Sequence, residues 1–373
     1  MNRNLVLRLH GFVGIGTGLL LMVISLTGAS IVFHDELDHA LNRLLWHVTP
    51  QAEQVSLDEI IAPVQAAHPD LPIWFVQSPK TPNESYVINQ KTPNEQRFQT
   101  FVNPYTGATL GSRIWERSLT GFLYTLHHEL LAGKVGQIIV GVIGILLLLM
   151  TLTGVLLWTG WRKLVTGFRI RWHSPVPLVS YDLHKVGGIL SSVFFTVIAF
   201  TGIVIVVLNV LPIFSPAPEA KPVTKTPTIA WSQLLQKADT AMPDGKTTSI
   251  ELSATNSQQL TVRKKLPNQD TGRFDFSTVE LNRYSGEVVQ VSKVVKAEGF
   301  FKFLVAIADF HFGTFGGLPT RILYVFIGLM PSILLITGLI TWKRRRWLMA
   351  RREEALRIAQ QNRACGASSK APY

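Results

Sequence analysis

The chain has 373 residues, of which 47% are hydrophobic and only 16% charged, with a mean hydropathy of +0.24. That balance excludes an ordinary soluble enzyme of this size and points to a membrane protein with sizeable polar parts. The net charge of +12 does not indicate nucleic acid, because much of the basic excess clusters beside apolar segments, at Arg162, Lys163, Arg169, Arg171 and Lys343 to Arg346, where it reads as an orientation signal. The single cysteine, Cys365, excludes an intrachain disulfide and any thioether-linked prosthetic group.

Four segments are long enough to cross about 30 Å of hydrocarbon, which takes roughly 20 apolar residues each: 12–33, 138–158, 186–211 and 322–342. Residues 1–34 hold the first. Its apolar run is longer than a signal core and no Ala-x-Ala site closes it, so it is expected to be retained. Residues 35–125 form a polar region with an amphipathic helix over 57–67 and then short alternating runs that read as strands. The second span lies in 126–161, a basic loop in 162–183 and the third span in 184–211. Residues 212–308 begin with a Pro-rich linker over 212–227, extended by composition, and continue into a second polar domain with a helix over 231–241. Residues 309–343 carry the fourth span and 344–373 a basic tail. The positive-inside rule puts both termini and the 162–183 loop in the cytoplasm, and both long loops outside.

The chain repeats itself. His10 and Gly28 are separated by the same interval as His184 and Gly202 (28 − 10 and 202 − 184), and His127 and Gly154 by the same interval as His311 and Gly338 (154 − 127 and 338 − 311). A Thr-Gly pair stands in every span, at Thr27-Gly28, Thr153-Gly154, Thr201-Gly202 and Thr337-Gly338. The fold class expected is therefore an α-helical membrane protein whose four transmembrane helices are a duplicated two-helix unit, carrying two α+β outer domains. The two polar domains share a phrase, Asn103-Pro104-Tyr105-Thr106-Gly107 and Asn282-Arg283-Tyr284-Ser285-Gly286, which predicts a hairpin turn in each.

On a helix turning 100° per residue, His10 and Gly28 lie on one face with Gly14 beside them, and His184 repeats this with Gly188 and Gly202. Such a face admits a flat macrocycle between helices, or simply a close helix–helix contact of small residues. Ionisable side chains in or near hydrocarbon are costly and tend to be functional, so His10 and His184, both at the cytoplasmic end, are read as axial ligands of one haem b. His127 and His311 precede spans two and four after apolar runs suited to interfacial helices, 122–126 and 300–308, and are read as the pair for a second haem b at the outer end. His34, which has no twin in the third span, and His128 are alternative outer ligands. His39, His47, His68 and His173 have no repeat partners and read as surface residues. Trp158 and Trp342 read as interfacial anchors.

The order Leu-His-x-x-x-Gly, Leu-Thr-Gly, a Tyr-Thr-Gly hairpin, Leu-His and Thr-Gly-x-x-x-Trp resembles the PepSY-associated transmembrane family, and the likeness covers His10 to about Trp347. The resemblance implies four membrane helices with two PepSY-like outer domains, in an inner-membrane haem protein similar to those that reduce ferric siderophores outside the cytoplasm and so serve iron uptake. Bis-histidine ligation leaves no open iron position, which argues for electron transfer over oxygen chemistry. Neither polar domain shows a nucleophile–base set, and no nicotinamide or flavin fingerprint is present, so the donor is expected to be separate: a cytoplasmic reductase, a reduced cofactor or a quinol. The expected partners are membrane lipid, that donor and an outside ferric chelate or siderophore. Two other classes compete: a non-enzymatic regulator or chaperone anchored by its helices, which leaves the paired histidines unexplained, and a transporter, for which an internal repeat is usual but which lacks a carboxylate within any of the four apolar runs.

Overall fold

The computed structural model describes residues 2–211, 229–252, 259–267, 277–293 and 299–368; the Pro-rich linker expected over 212–227 lies outside them. In chain order, helix α1 (Arg3–Ile31) is followed by two short helices, α2 (His34–Leu41) and α3 (Arg43–Trp46), then by α4 (Leu57–Ala67) and strands β1 (Ile73–Gln77), β2 (Tyr86–Lys91), β3 (Arg97–Val102) and β4 (Thr109–Ile114). Helices α5 (Leu119–Glu129), α6 (Gly133–Leu157), α7 (Leu164–Phe168) and α8 (Val176–Val210) come next. The rest holds α9 (Trp231–Ala241), β5 (Lys246–Leu252), β6 (Gln259–Lys265), β7 (Ser277–Asn282), β8 (Val288–Ser292), α10 (Phe300–Phe312) and α11 (Gly317–Ser368). The chain divides into two compact units: Met1–Ala29, Gly141–Ile203 and Phe326–Tyr373 form one, and Ser30–Val140 with Val204–Val325 the other.

In the first unit lie most of α1, α6, α8 and α11, which among the described residues are the four helices long and apolar enough to cross a membrane. They fall on the four expected segments, but all start earlier, α1 at Arg3 and α8 at Val176 by the most. Hydropathy marks the lipid-facing stretch only, whereas a helix continues wherever each N–H still finds its carbonyl. α8 therefore takes in Asp182 as well as His184. The Asp182 carboxylate, 1% exposed, accepts from the Arg171 guanidinium at 2.7 and 3.0 Å and from the Lys185 ammonium at 3.3 Å. Two cations thus compensate one buried charge and pin the 162–175 connection to α8. α11 runs on to Ser368, so the expected basic tail continues the fourth helix, as its Ala, Leu, Arg, Glu and Gln content favours. Small residues set the helix contacts: a Cβ on Gly18 would strike Leu335 of α11, and one on Gly328 would meet Ala29 of α1 at 2.8 Å.

The second unit is built on one antiparallel sheet in the order β4-β3-β2-β1-β5-β6-β7-β8. The strands of the two polar regions meet where Phe75, Val76 and Gln77 of β1 pair with Glu251, Ile250 and Ser249 of β5. The two outer domains expected from the sequence therefore share a sheet. Alternation identifies strands without naming their neighbours, and the β1–β5 ladder satisfies two edges that would otherwise present unpaired backbone groups. Helices α4 and α9 fill the core with the sheet: Ile60, Ile61, Val76, Ile88, Leu260, Val262, Val279 and Leu281 are fully buried. Each such side chain contributes about 1.5–3 kcal/mol relative to exposure.

Local sequence fixes the ends of these elements. Ser56 and Glu59 form a capping box at the start of α4. Ala230 gives α9 no side-chain cap; instead Asp58 of α4 accepts from the Trp231 and Ser232 N–H groups and from the Ser232 hydroxyl. Burial pushes the Asp58 carboxyl up, but these bonds outweigh it and hold the group below its ordinary value. The shared Asn-x-Tyr phrases form the β3–β4 and β7–β8 turns as expected. Asn103 and Asn282 accept from the N–H groups of Tyr105 and Tyr284, each at 2.9 Å, and Gly107 and Gly286 sit at φ +68° and +65°, where a side chain is disfavoured.

Candidate cofactor-binding histidine pairs

His10 lies two turns into α1 and His184 two turns into α8, and their rings meet in an edge arrangement with centroids 6.3 Å apart and planes at 85°. Each ring is held by a helix other than its own. His10 Nδ1 lies 2.9 Å from the Thr153 hydroxyl of α6. That hydroxyl spends its hydrogen on the Leu149 carbonyl at 2.8 Å, so it accepts from His10, and Nδ1 carries the proton. His184 Nδ1 lies 3.0 Å from the Leu334 carbonyl of α11 and 3.2 Å from the Thr337 hydroxyl. A carbonyl only accepts, so here too Nδ1 is the donor. In the neutral imidazoles Nε2 is therefore the bare nitrogen on both rings, the state a metal requires. Gly154 and Gly338, next to these threonines, leave the ring edges room: a Cβ there would stand 3.4 Å from His10 Cε1 and 3.3 Å from His184 Cε1.

His127 closes α5 and His311 closes α10, and their centroids are also 6.3 Å apart, with planes at 43°. Helix α5 is tied to the sheet through Asp38 of α2. The Asp38 carboxylate takes both Arg113 nitrogens at 2.8 and 2.6 Å, Trp46 Nε1 at 2.8 Å and the Thr120 hydroxyl of α5 at 3.2 Å. Burial raises the Asp38 carboxyl, but Arg113, with Trp46 and Thr120, more than reverses this and leaves it below its ordinary value. Arg97 of β3 stacks over Trp115 at 4.2 Å, and Trp115 meets Tyr124 of α5. Helix α10 is secured at its end by Tyr324, whose hydroxyl donates to the Phe310 carbonyl, and by Asp309, which accepts from the Thr314 hydroxyl at 2.6 Å.

The other expected site residues divide. His34 begins α2, with Nδ1 3.2 Å from the Ile31 carbonyl and Nε2 3.1 Å from the Asp35 carboxylate, so oxygen atoms face both ring nitrogens. His128 stacks on Tyr124, and burial lowers its pKa. A Cβ on Gly14 would meet the Met150 methyl at 2.8 Å, whereas one on Gly188, a turn from His184, would meet nothing within 4 Å. Gly28 and Gly202 are part-exposed, next to the buried Thr27 and Thr201, whose hydroxyls bond back to their own helices. Of the unpaired histidines, His39 stacks on Trp46 and His68 packs on Phe98, while His47 and His173 are exposed. Sequence reading missed the cross-helix roles of Thr153 and Thr337, and Asp38 and Arg113 altogether. The signal for the threonines was present, since Thr153 and Thr337 close their spans at the end where His10 and His184 open theirs.

The donor set suits an iron already held in a macrocycle. Among the described residues no group of three or more His, Cys, Asp or Glu side chains could hold a bare metal ion. Two imidazoles on opposite sides of one metal, with metal–nitrogen bonds of about 2.0 Å, place their ring centres about 6.4 Å apart, close to the 6.3 Å of both pairs. Comparison with known proteins gives one family match, to the PepSY-associated TM region, over residues 7–345. No curated protein matches the chain.

Proposed function

The chain belongs to the PepSY-associated transmembrane family, and on that premise we propose that it is a haem b electron-transfer protein of the bacterial inner membrane that reduces a ferric siderophore or similar ferric chelate outside the cytoplasm. The observation that carries this reading is the recurrence of one ring separation at two histidine pairs, His10–His184 and His127–His311, both at 6.3 Å. Bound haem supplies one-electron Fe(III)/Fe(II) exchange, and two imidazole ligands leave it no open position for oxygen. His10 and His184 would hold one group at the cytoplasmic end and His127 and His311 a second at the outer end. Thr153, Leu334 and Thr337 keep Nδ1–H occupied and Nε2 available. The open space at Gly188 leaves room beside His184. The matched spacings support a duplicated two-helix unit, the basic flanks support cytoplasmic termini, and the sheet-bearing loops would receive the chelate. Reduction to Fe(II) weakens hard oxygen ligands and releases the iron; the electron comes from a separate donor, a reductase, reduced cofactor or quinol.

The test is an absorption spectrum of the detergent-purified chain, oxidised and dithionite-reduced, with haem counted per chain. A Soret band with sharp α/β bands and two haems is expected. His10→Ala or His184→Ala should remove one, and His127→Ala or His311→Ala the other. A chain expressed with adequate haem that shows no Soret band overturns the reading. Loss of the second haem in His34→Ala with retention in His127→Ala reassigns that site. Reoxidation of the reduced protein by ferric chelates tests the substrate class.

A further inference from the structure

Only two of the four Thr-Gly pairs touch His10 or His184. Thr27 and Thr201 bond to carbonyls of their own helices, Val23 and Ile24 in one case and Val197 and Ile198 in the other. Thr153 and Thr337 make the same backbone bonds and in addition meet an imidazole on another helix. We propose that Thr153 and Thr337 are positioning residues that fix the ring orientation and tautomer of His10 and His184 and so set the donor strength of these ligands toward the iron; the inference rests on the haem reading above.

The backbone bond is what makes the hydroxyl useful. A free threonine hydroxyl could donate to Nδ1 and leave the proton on Nε2, the wrong nitrogen for a metal. Once its hydrogen is committed to the carbonyl four residues back, the oxygen can only accept. The Nδ1–H···O bond then raises the basicity of Nε2 and favours the ferric form. The two sites differ in redundancy. His10 Nδ1 has the Thr153 hydroxyl as its hydrogen-bond partner, whereas His184 Nδ1 also has the Leu334 carbonyl, the shorter of its two contacts. Removing one hydroxyl therefore leaves His10 without an acceptor and His184 with one.

The experiment compares Thr153→Val, Thr337→Val, Thr153→Ser and Thr201→Val in the full-length protein, reading haem retention and the midpoint potential of the component that His10→Ala abolishes. Thr153→Val is expected to weaken haem retention about 10- to 100-fold, the usual effect of losing an outer partner of a ligating histidine, and to raise the potential. A tenfold loss falling on the ferric form alone corresponds to about 59 mV. Thr337→Val should shift both quantities less, and Thr153→Ser should restore them. Thr201→Val removes a buried hydroxyl bonded in the same way to its own helix but touching neither His10 nor His184, and should leave the potential of that component unchanged. A Thr153→Val protein with wild-type retention and potential overturns the proposal, as does a Thr337→Val effect equal to or larger than that of Thr153→Val. Equal haem loss in Thr201→Val also overturns it, by assigning the effect to helix damage. Wild-type protein without haem instead defeats the functional reading itself, so the two failures are distinct.

Discussion

Replacing Asp38 with alanine should be among the most damaging single changes in the sheet-bearing unit. The side chains of Asp38 and Arg113 are 7% and 13% exposed and joined by two short bonds. Without the carboxylate, Arg113 keeps only the Gln99 amide oxygen at 3.0 Å and a contact over the Phe101 ring, and Trp46 Nε1 loses its acceptor. Breaking a buried pair by removing one partner costs about 3–5 kcal/mol, because the remaining charge is uncompensated. At about 2–4 °C per kcal/mol for a domain of 150–250 residues, the apparent Tm should fall by roughly 6–20 °C. The sign with pH follows from the lowered Asp38 pKa: its stabilisation is fully present above the unfolded value of about 3.9 and is lost as pH falls through the lower folded value. Thermal melts of the detergent-solubilised protein, repeated from neutral pH downward, should therefore show a shallower acid loss in Asp38→Ala. Arg113→Met should be comparably harmful and the double Asp38→Leu/Arg113→Met less harmful than either, since neither charge is then stranded. A single mutant that melts with the wild type, or a double mutant worse than both, would refute the argument.

Two further outcomes follow from local geometry. Gly188→Leu enters open space, so its melting temperature should stay near wild type while the haem assigned to His10 and His184 is lost; full haem retention would show that the macrocycle does not use this face. Asp58→Ala removes the cap that α4 supplies to α9 and should cost about 0.5–2 kcal/mol, the range for a helix cap. Denaturant titration measures that loss, and an unchanged midpoint would show that the N–H groups of Trp231 and Ser232 find water instead.

The repeat made the histidines legible, because a ligand must recur at matched positions if two copies of a helix pair bind alike. Periodicity likewise located α4, α9 and the two hairpin turns. What it could not supply was partnership between elements. The spacing of His10 and Gly28 places both on one face of α1, but the residue that holds His10 is Thr153, on another helix. Asp38 gave no signal for a related reason: its partners Arg113 and Thr120 are distant in sequence, and a lone Asp after a span reads as a solvated charge. The early start of α8 was hidden because hydropathy counts Asp182 and Lys185 against a helix, although their mutual pairing lets them remain in one.

These partnerships have a common consequence: neither half of the chain completes its sheet, its helix cap or its histidine pairs alone. His10 meets His184, and His127 meets His311, each pair drawing one ring from either half. The sheet joins at β1 and β5, again one strand from each, and α9 of the second half is capped by Asp58 of the first. A single half expressed alone would expose a β1 or β5 edge, leave a helix start unsatisfied in one case, and offer one imidazole of each proposed ligand pair. The duplicated spacing read from the sequence therefore supports two interdependent halves, in which each copy supplies one ligand to both proposed haems.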